Sequence, residues 1–168
     1  MRQEIEEIPA AIRRLLVDGR ESMVAGGAAL RAHNPSTIVT IARGSSDHAS
    51  AFVKYAIELL AGVPVASIGP SIVSIYGREL KLGHAAAIAV SFSPYASLTV
   101  DHAQVLSDQG VPIVSITDSA FSPLVALSKL WFEVAESDFG GFRSLSATMA
   151  LATAIAIAIG EERRAGRK

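Results

Sequence analysis

Several short apolar runs that do not alternate set the fold of this chain. TIVTI at 37–41, AAAIAV at 85–90 and VPIVSI at 111–116 are β-branched or apolar almost throughout. They are too short for helices, and a strand with one face in water would alternate polar with apolar residues. Continuous runs of this length belong to strands covered on both faces. Segments of helical length separate them, so the pattern predicts an open parallel sheet wrapped by helices on both sides, with right-handed crossovers. Five strands are expected, at 37–41, 63–68, 86–91, 111–116 and 130–134. Residues 1–33 carry a helical stripe of Ile5, Ile8, Ile12, Leu15 and Leu16, broken at Asp18-Gly19 and ended by Asn34-Pro35. Further helices follow Ser46 to about Leu60, span 99–109, lie near Leu124 and close the chain.

Composition narrows the function classes. Of 168 residues, 50% are hydrophobic and 18% charged, which suits one compact domain. Helices at 1–36 are expected to pack on a single domain at 37–168. Fifteen Lys and Arg against 16 Asp and Glu leave a net charge of -1, so no global field draws the chain to nucleic acid or to an anionic membrane. There is no cysteine, hence no disulfide framework or thiolate site, and a reducing cytoplasm is the expected compartment. The acidic start MRQEIEEIPAAIRRLL does not read as a secretory signal. The uncharged stretch 144–160 has 17 residues, short of the roughly 20 a spanning helix needs. Its Ala, Ser and Thr content reads as a buried helix packed closely on a sheet or on a second subunit.

Ligands of such sheets sit beyond the carboxyl ends of the strands, at the switch point in strand order. Two loops there are rich in hydroxyls. Ala42-Arg43-Gly44-Ser45-Ser46 turns a strand into a helix, and the free N–H groups of that helix start favour an anion. Helix capping by Ser46 is the ordinary alternative. Asp47 in the first turn repels a phosphate unless it faces away. Ser91-Phe92-Ser93-Pro94-Tyr95-Ala96-Ser97-Leu98-Thr99 places four Ser or Thr hydroxyls at a second helix mouth, more than one cap needs. Two such mouths could grip one phosphate between them. The loop with Thr117, Asp118, Ser119 and Ser122 reads as turn chemistry.

At these two motifs the sequence resembles the SIS family of sugar isomerase and phosphosugar-binding domains. ARGSSDHA, continuing through FVKYAIELLAGVPVAS, is similar to the first such domain of glucosamine-6-phosphate synthase and of AgaS-type deaminase/isomerases. SFSPYASLTVDHAQVLSDQGVPIVSITDSAFSPL is similar to the sugar-sensing domain of RpiR/MurR-type regulators. The change of resemblance along the chain suggests a recombinant or reconstructed sequence, or a divergent natural one. The resemblance implies a three-layer, flavodoxin-like sandwich with a five-stranded parallel sheet, a phosphosugar ligand, no cofactor, and a homodimer or homotetramer. It assigns Gly44, Ser45, Ser46, Ser91, Ser93 and Thr99 to the phosphate. Pro94 and Ala96 stand where the synthase-like loop has glycine and threonine, removing one N–H and one hydroxyl.

An aldose–ketose isomerase also needs a base, and commonly a histidine to open the ring. His48 and His84 are the candidates for ring opening, and Glu58 and Glu79 for the base. The ordinary readings are an exposed helix carboxylate for Glu58 and an ion pair with Arg78 or Lys81 for Glu79. His33 reads as solvated and His102 as a surface or packing residue. Arg43 could steer an anion, or pair with Asp47 or Asp118. No metal site is expected, because adjacent Asp-His residues on a helix point about 100° apart. Three readings remain open: a phosphosugar-binding domain, a phosphosugar isomerase, and a scaffold whose site has lapsed.

Overall fold

A computed structural model describes residues 2–92, 97–134 and 142–165. In chain order the elements are α1 (Arg2–Asp18), α2 (Arg20–His33), β1 (Thr37–Ile41), α3 (Ser45–Ala61), β2 (Val65–Ser67) and α4 (Ser71–Ser74). They continue with β3 (Ala85–Ser91), α5 (Ser97–Asp108), β4 (Ile113–Thr117), α6 (Pro123–Leu127), β5 (Leu130–Glu133) and α7 (Phe142–Ala165). The five strands form one parallel sheet in the order β2-β1-β3-β4-β5.

Sheet position explains the strand sequences. Central β3 is buried at every one of its seven positions, and its alanines let helices approach from both sides. One face is covered by α1, α2, α3 and α7, through Leu30, Val53, Ile57, Leu151 and Ile155. The other is covered by α5 and α6, through Ala103, Leu106 and Leu124, with α4 beside α5. Edge strands β2 and β5 are buried at only part of their length.

Boundaries differ from expectation where the ladder is interrupted. Strand β4 starts at Ile113 rather than 111, because Val111 N–H still closes on Leu106 and Pro112 offers only its carbonyl, to Ala87 N–H. Strand β2 is shorter than 63–68, since an edge strand is paired on one side only. The one-turn helix α4 is an addition to the predicted elements. Ile5 and Leu16, placed on the buried stripe by periodicity, are exposed in α1. Helix α2 ends as its sequence directs: Asn34 adopts the left-handed conformation (φ 49°), its N–H returns to Leu30 and Arg31 carbonyls, and Pro35 follows. No helix of the described residues is long and apolar enough to cross a membrane, and the 144–160 stretch lies within α7, packed on α3.

Candidate functional site at the carboxyl ends of strands β1 and β3

Strand order reverses between β1 and β3, so their carboxyl ends diverge into loops that leave a crevice. A cleft of about 420 Å³ opens there, lined by Arg43 to Ser46 from one loop and by Val90 to Phe92 and Ser97 to Thr99 from the other. That volume lies in the range of small-molecule sites.

Local geometry explains why these residues meet. Gly44 sits at φ 64°, ψ -132°, a backbone conformation essentially restricted to glycine, and this turn sends the chain from β1 directly into α3. Gly44 itself is the N-cap and no side chain caps the helix, so the capping role considered for Ser46 is not the one it plays. Ser46 is buried in the first turn and lines the cleft. Ser91 ends β3, and Thr99 lies in the first turn of α5. Both are buried and both line the same cleft. Helices of 17 and 12 residues thus start beside one space, and each turns the positive end of its dipole toward it.

Asp47 does not oppose an anion here. It is exposed and turned toward β2, where its carboxylate is 3.5 Å from Ser67 Oγ. Arg43, at the rim, makes no ion pair among the described residues, so the pairing with Asp47 or Asp118 is not formed.

Of the residues singled out from sequence for the phosphate, Gly44, Ser45, Ser46, Ser91 and Thr99 are brought together, while Ser93 lies outside the described residues, as do Pro94 and Ala96. Ser97, Phe92 and Leu98 join the lining. Ser97 belonged to the hydroxyl cluster, but only the start of α5 shows that it faces the cleft.

The candidate acids and bases are dispersed. Glu58 lies thirteen residues along α3 from Ser45, roughly 20 Å at 1.5 Å per residue. Its Oε1 accepts from Lys54 Nζ (2.6 Å) and from Val65 N–H (3.0 Å), while Lys54 Nζ also donates to Val65 O (2.8 Å). These bonds hold its pKa below the ordinary carboxylate value, the lysine contributing most, and they clasp α3 to the start of β2. His84 precedes β3, again at the amino ends of the strands. Its ring lies 4.4 Å from that of His33, whose Nε2 is 3.0 Å from Ala85 O. His33 is therefore half-buried against the sheet rather than solvated, because the end of α2 packs over the start of β3. His48 is exposed in the first turn of α3 and does not line the cleft. Glu79 is exposed in the segment between α4 and β3. His102 is buried in α5 with Nδ1 unpartnered, and burial pushes its pKa down.

The sequence profile of the SIS domain matches residues 32–158. No curated protein sequence matches. Among solved structures, a candidate phosphosugar isomerase from Silicibacter pomeroyi is 37% identical, with a TM-score of 0.86. The match covers 98% of this chain and 52% of that one. NanR of Vibrio vulnificus, solved with ManNAc-6P, is 19% identical with a TM-score of 0.75, over 96% of this chain and 63% of that one. The sugar isomerase domain of an RpiR transcription factor from Sphaerobacter thermophilus is 21% identical with a TM-score of 0.72, over 98% and 90% respectively. The chain spans about half the length of the Silicibacter pomeroyi protein and of other solved relatives. With a profile match across most of its length, the expected five-stranded parallel sheet and a hydroxyl-lined cleft at the switch point, this chain belongs to the SIS domain family.

Proposed function

We propose that the cleft between β1 and β3 binds the phosphate of a phosphorylated sugar or amino sugar. The observation that carries this reading is the convergence of two helix starts with the hydroxyls of Ser45, Ser46, Ser91, Ser97 and Thr99 in one crevice, with Arg43 at its rim. The bound ManNAc-6P of NanR supports the ligand class. By its place in the same hydroxyl-rich sequence motif, Ser93 is counted with this set.

Binding is favoured over isomerisation by one feature of the lining: no carboxylate or imidazole is among the residues described around the cleft. Glu58 and His84 are at the far end of the sheet, which leaves His48 and Glu79 as the residues an isomerase would have to recruit. A cytoplasmic, homodimeric or homotetrameric domain without a nucleic-acid partner completes the reading, supported by the cysteine-free, charge-balanced composition.

The test is a thermal-shift screen with fructose-6-phosphate, glucosamine-6-phosphate, N-acetylglucosamine-6-phosphate, N-acetylmuramic acid-6-phosphate and inorganic phosphate. A ligand at 100 times its Kd stabilises by about 2.7 kcal/mol, a rise of about 5–10 °C for a chain of this size. Ser46→Ala with Ser91→Ala removes two donors to a charged group, each worth about 1.5–3 kcal/mol, and abolishes the shift. A flat screen with the intact chain refutes the reading.

A further inference from the structure

Helix α5 turns Thr99, His102, Ala103 and Leu106 inward, a spacing of i, i+3, i+4 and i+7 that marks the face packed on the sheet. An imidazole in such a stripe is out of place unless its nitrogens are bonded. His102 is 1% exposed and its Nδ1 has no partner. The strand face opposite offers it little. Val39, Ala87, Ala89 and Ile113 there are apolar. Ser115, two positions along β4 from Ile113 and so on the same face, is fully buried with its own hydroxyl unpartnered.

Nor does any charge stand ready to answer a proton on this ring. The elements packed most extensively on α5 are β1, β3, β4, α4 and α6, whose sequences TIVTI, AAAIAVS, IVSIT, SIVS and PLVAL hold no ionisable residue. On α5 itself, Asp101 and Asp108 are exposed, and Asp108 accepts from Gln104 Nε2 at 2.8 Å. The segment before β3 packs Leu80 and Leu82 into the same core, but its Arg78, Glu79, Lys81 and His84 are exposed. After β4, Asp118 has a buried Oδ1 that accepts from nothing, so it is not joined to His102 either. Burial therefore acts on the imidazole unopposed, pushing its pKa down and keeping it neutral in the chain alone.

The missing charge is of the kind the cleft is built to hold. Thr99 lines the cleft, and His102 stands one turn behind it on the same face, about 4.5 Å along the helix. Helical side chains lean toward the helix N-terminus, which here is the cleft. A phosphate dianion beside Ser97 and Thr99 thus lies on the order of 10 Å from the ring, and a group this buried feels it with little screening by salt. We propose that His102 is the buried counter-charge of the cleft: binding a phosphorylated ligand draws one proton from solvent onto its imidazole, and that proton in turn tightens the ligand. This inference rests on the sugar-phosphate reading of the cleft and adds a pH regulation to it. The coupling is reciprocal, so affinity gains from His102 as pH falls. The ligand pulls the other way, because a phosphate ester with a second pKa of about 6 turns from dianion to monoanion over the same range. His102 offsets that loss.

The experiment titrates the imidazole signals of the full chain by NMR in chloride, in sulfate at matched ionic strength, and with saturating fructose-6-phosphate or whichever screened phosphosugar binds more tightly. The chain has four histidines, and His102→Gln identifies the signal in question. His102 should take its proton at higher pH with either anion than in chloride, while His33 and His84, at the amino ends of the strands, keep their titrations. Sulfate does not titrate in this range, so its effect cannot come from the ligand's own proton. Ser46→Ala with Ser91→Ala should remove the shift. Calorimetry gives a second reading: as pH falls from about 8 to about 5.5, the affinity of the intact chain should gain about fivefold or more on that of His102→Gln. Each chain is compared with itself at the two pH values, so an altered packing of α5 in the variant does not mimic the result. A bound ligand that leaves the His102 titration unchanged overturns the inference while the cleft reading stands. So does a shift to lower pH, which would mean that the charged imidazole loosens α5 from the sheet. A chain that binds none of these anions overturns both.

Discussion

Replacing Gly160 with alanine should destabilise the protein, against the ordinary preference of a helix. In an unobstructed helix this substitution gains about 0.5–1 kcal/mol, since alanine loses less backbone freedom and is the best helix former. Gly160 lies in α7 where that helix crosses the end of α3. A Cβ built there falls 2.3 Å from the carbonyl oxygen of Leu60 and 2.9 Å from its carbonyl carbon. The obstacle is backbone, so no side-chain rotation relieves it. Either helix must shift, and overpacking of this kind costs about 1–3 kcal/mol. The net effect is a loss on the order of 1–2 kcal/mol, which at about 2–4 °C per kcal/mol lowers Tm by about 2–8 °C. Thermal unfolding followed by circular dichroism, with urea unfolding to compare slopes, measures it. An unchanged or raised Tm would show that the two helices do not meet this closely, and the packing of α3 on α7 would need to be redrawn.

Gly44→Ala should cost about 1–3 kcal/mol and weaken phosphosugar affinity at the same time. Its Cβ meets nothing within 4 Å, so the whole cost is the backbone angle that aims α3 at the cleft, and titration calorimetry with the best ligand of the screen reads the affinity. Glu58→Gln should leave that affinity unchanged, because the clasp to Lys54 and Val65 lies at the opposite end of α3. The substitution should instead change the acid limb of stability. The folded-state pKa of Glu58 is lowered from 4.5, so its contribution is full above that value and is lost as pH falls through the folded pKa, as denaturant titrations between pH 3 and 6 would show. His102 acts in the same direction at higher pH. Burial lowers its folded pKa from 6.5, the unfolded chain takes the proton first, and stability declines as pH drops below that value. His102→Leu should flatten the decline, and an unaltered slope would show that the imidazole is not buried in its neutral form.

Much of the architecture was legible because it is written in local patterns. TIVTI and AAAIAV announce strands covered on both faces. Asn34-Pro35 ends a helix by its own backbone preferences, and glycine at 44 permits a turn that few other residues allow. The hydroxyl sets after the first and third strands marked the cleft, because the carboxyl ends of parallel strands are the only place where such loops converge. Side-chain partnership was not legible, since it is set by residues far away in sequence. Asp-His-Ala occurs in both α3 and α5, yet the first histidine is exposed and the second is buried without a partner for Nδ1. That difference depends on how each helix is rotated against the sheet. Glu58 reads as an ordinary helix carboxylate until β2 is laid beside it, and His33 as a solvated helix end until β3 passes beneath. The strands, the turns and the chemistry available to the cleft follow from propensities acting over a few residues. Which acids and imidazoles reach that cleft depends on the packing of segments distant in the chain.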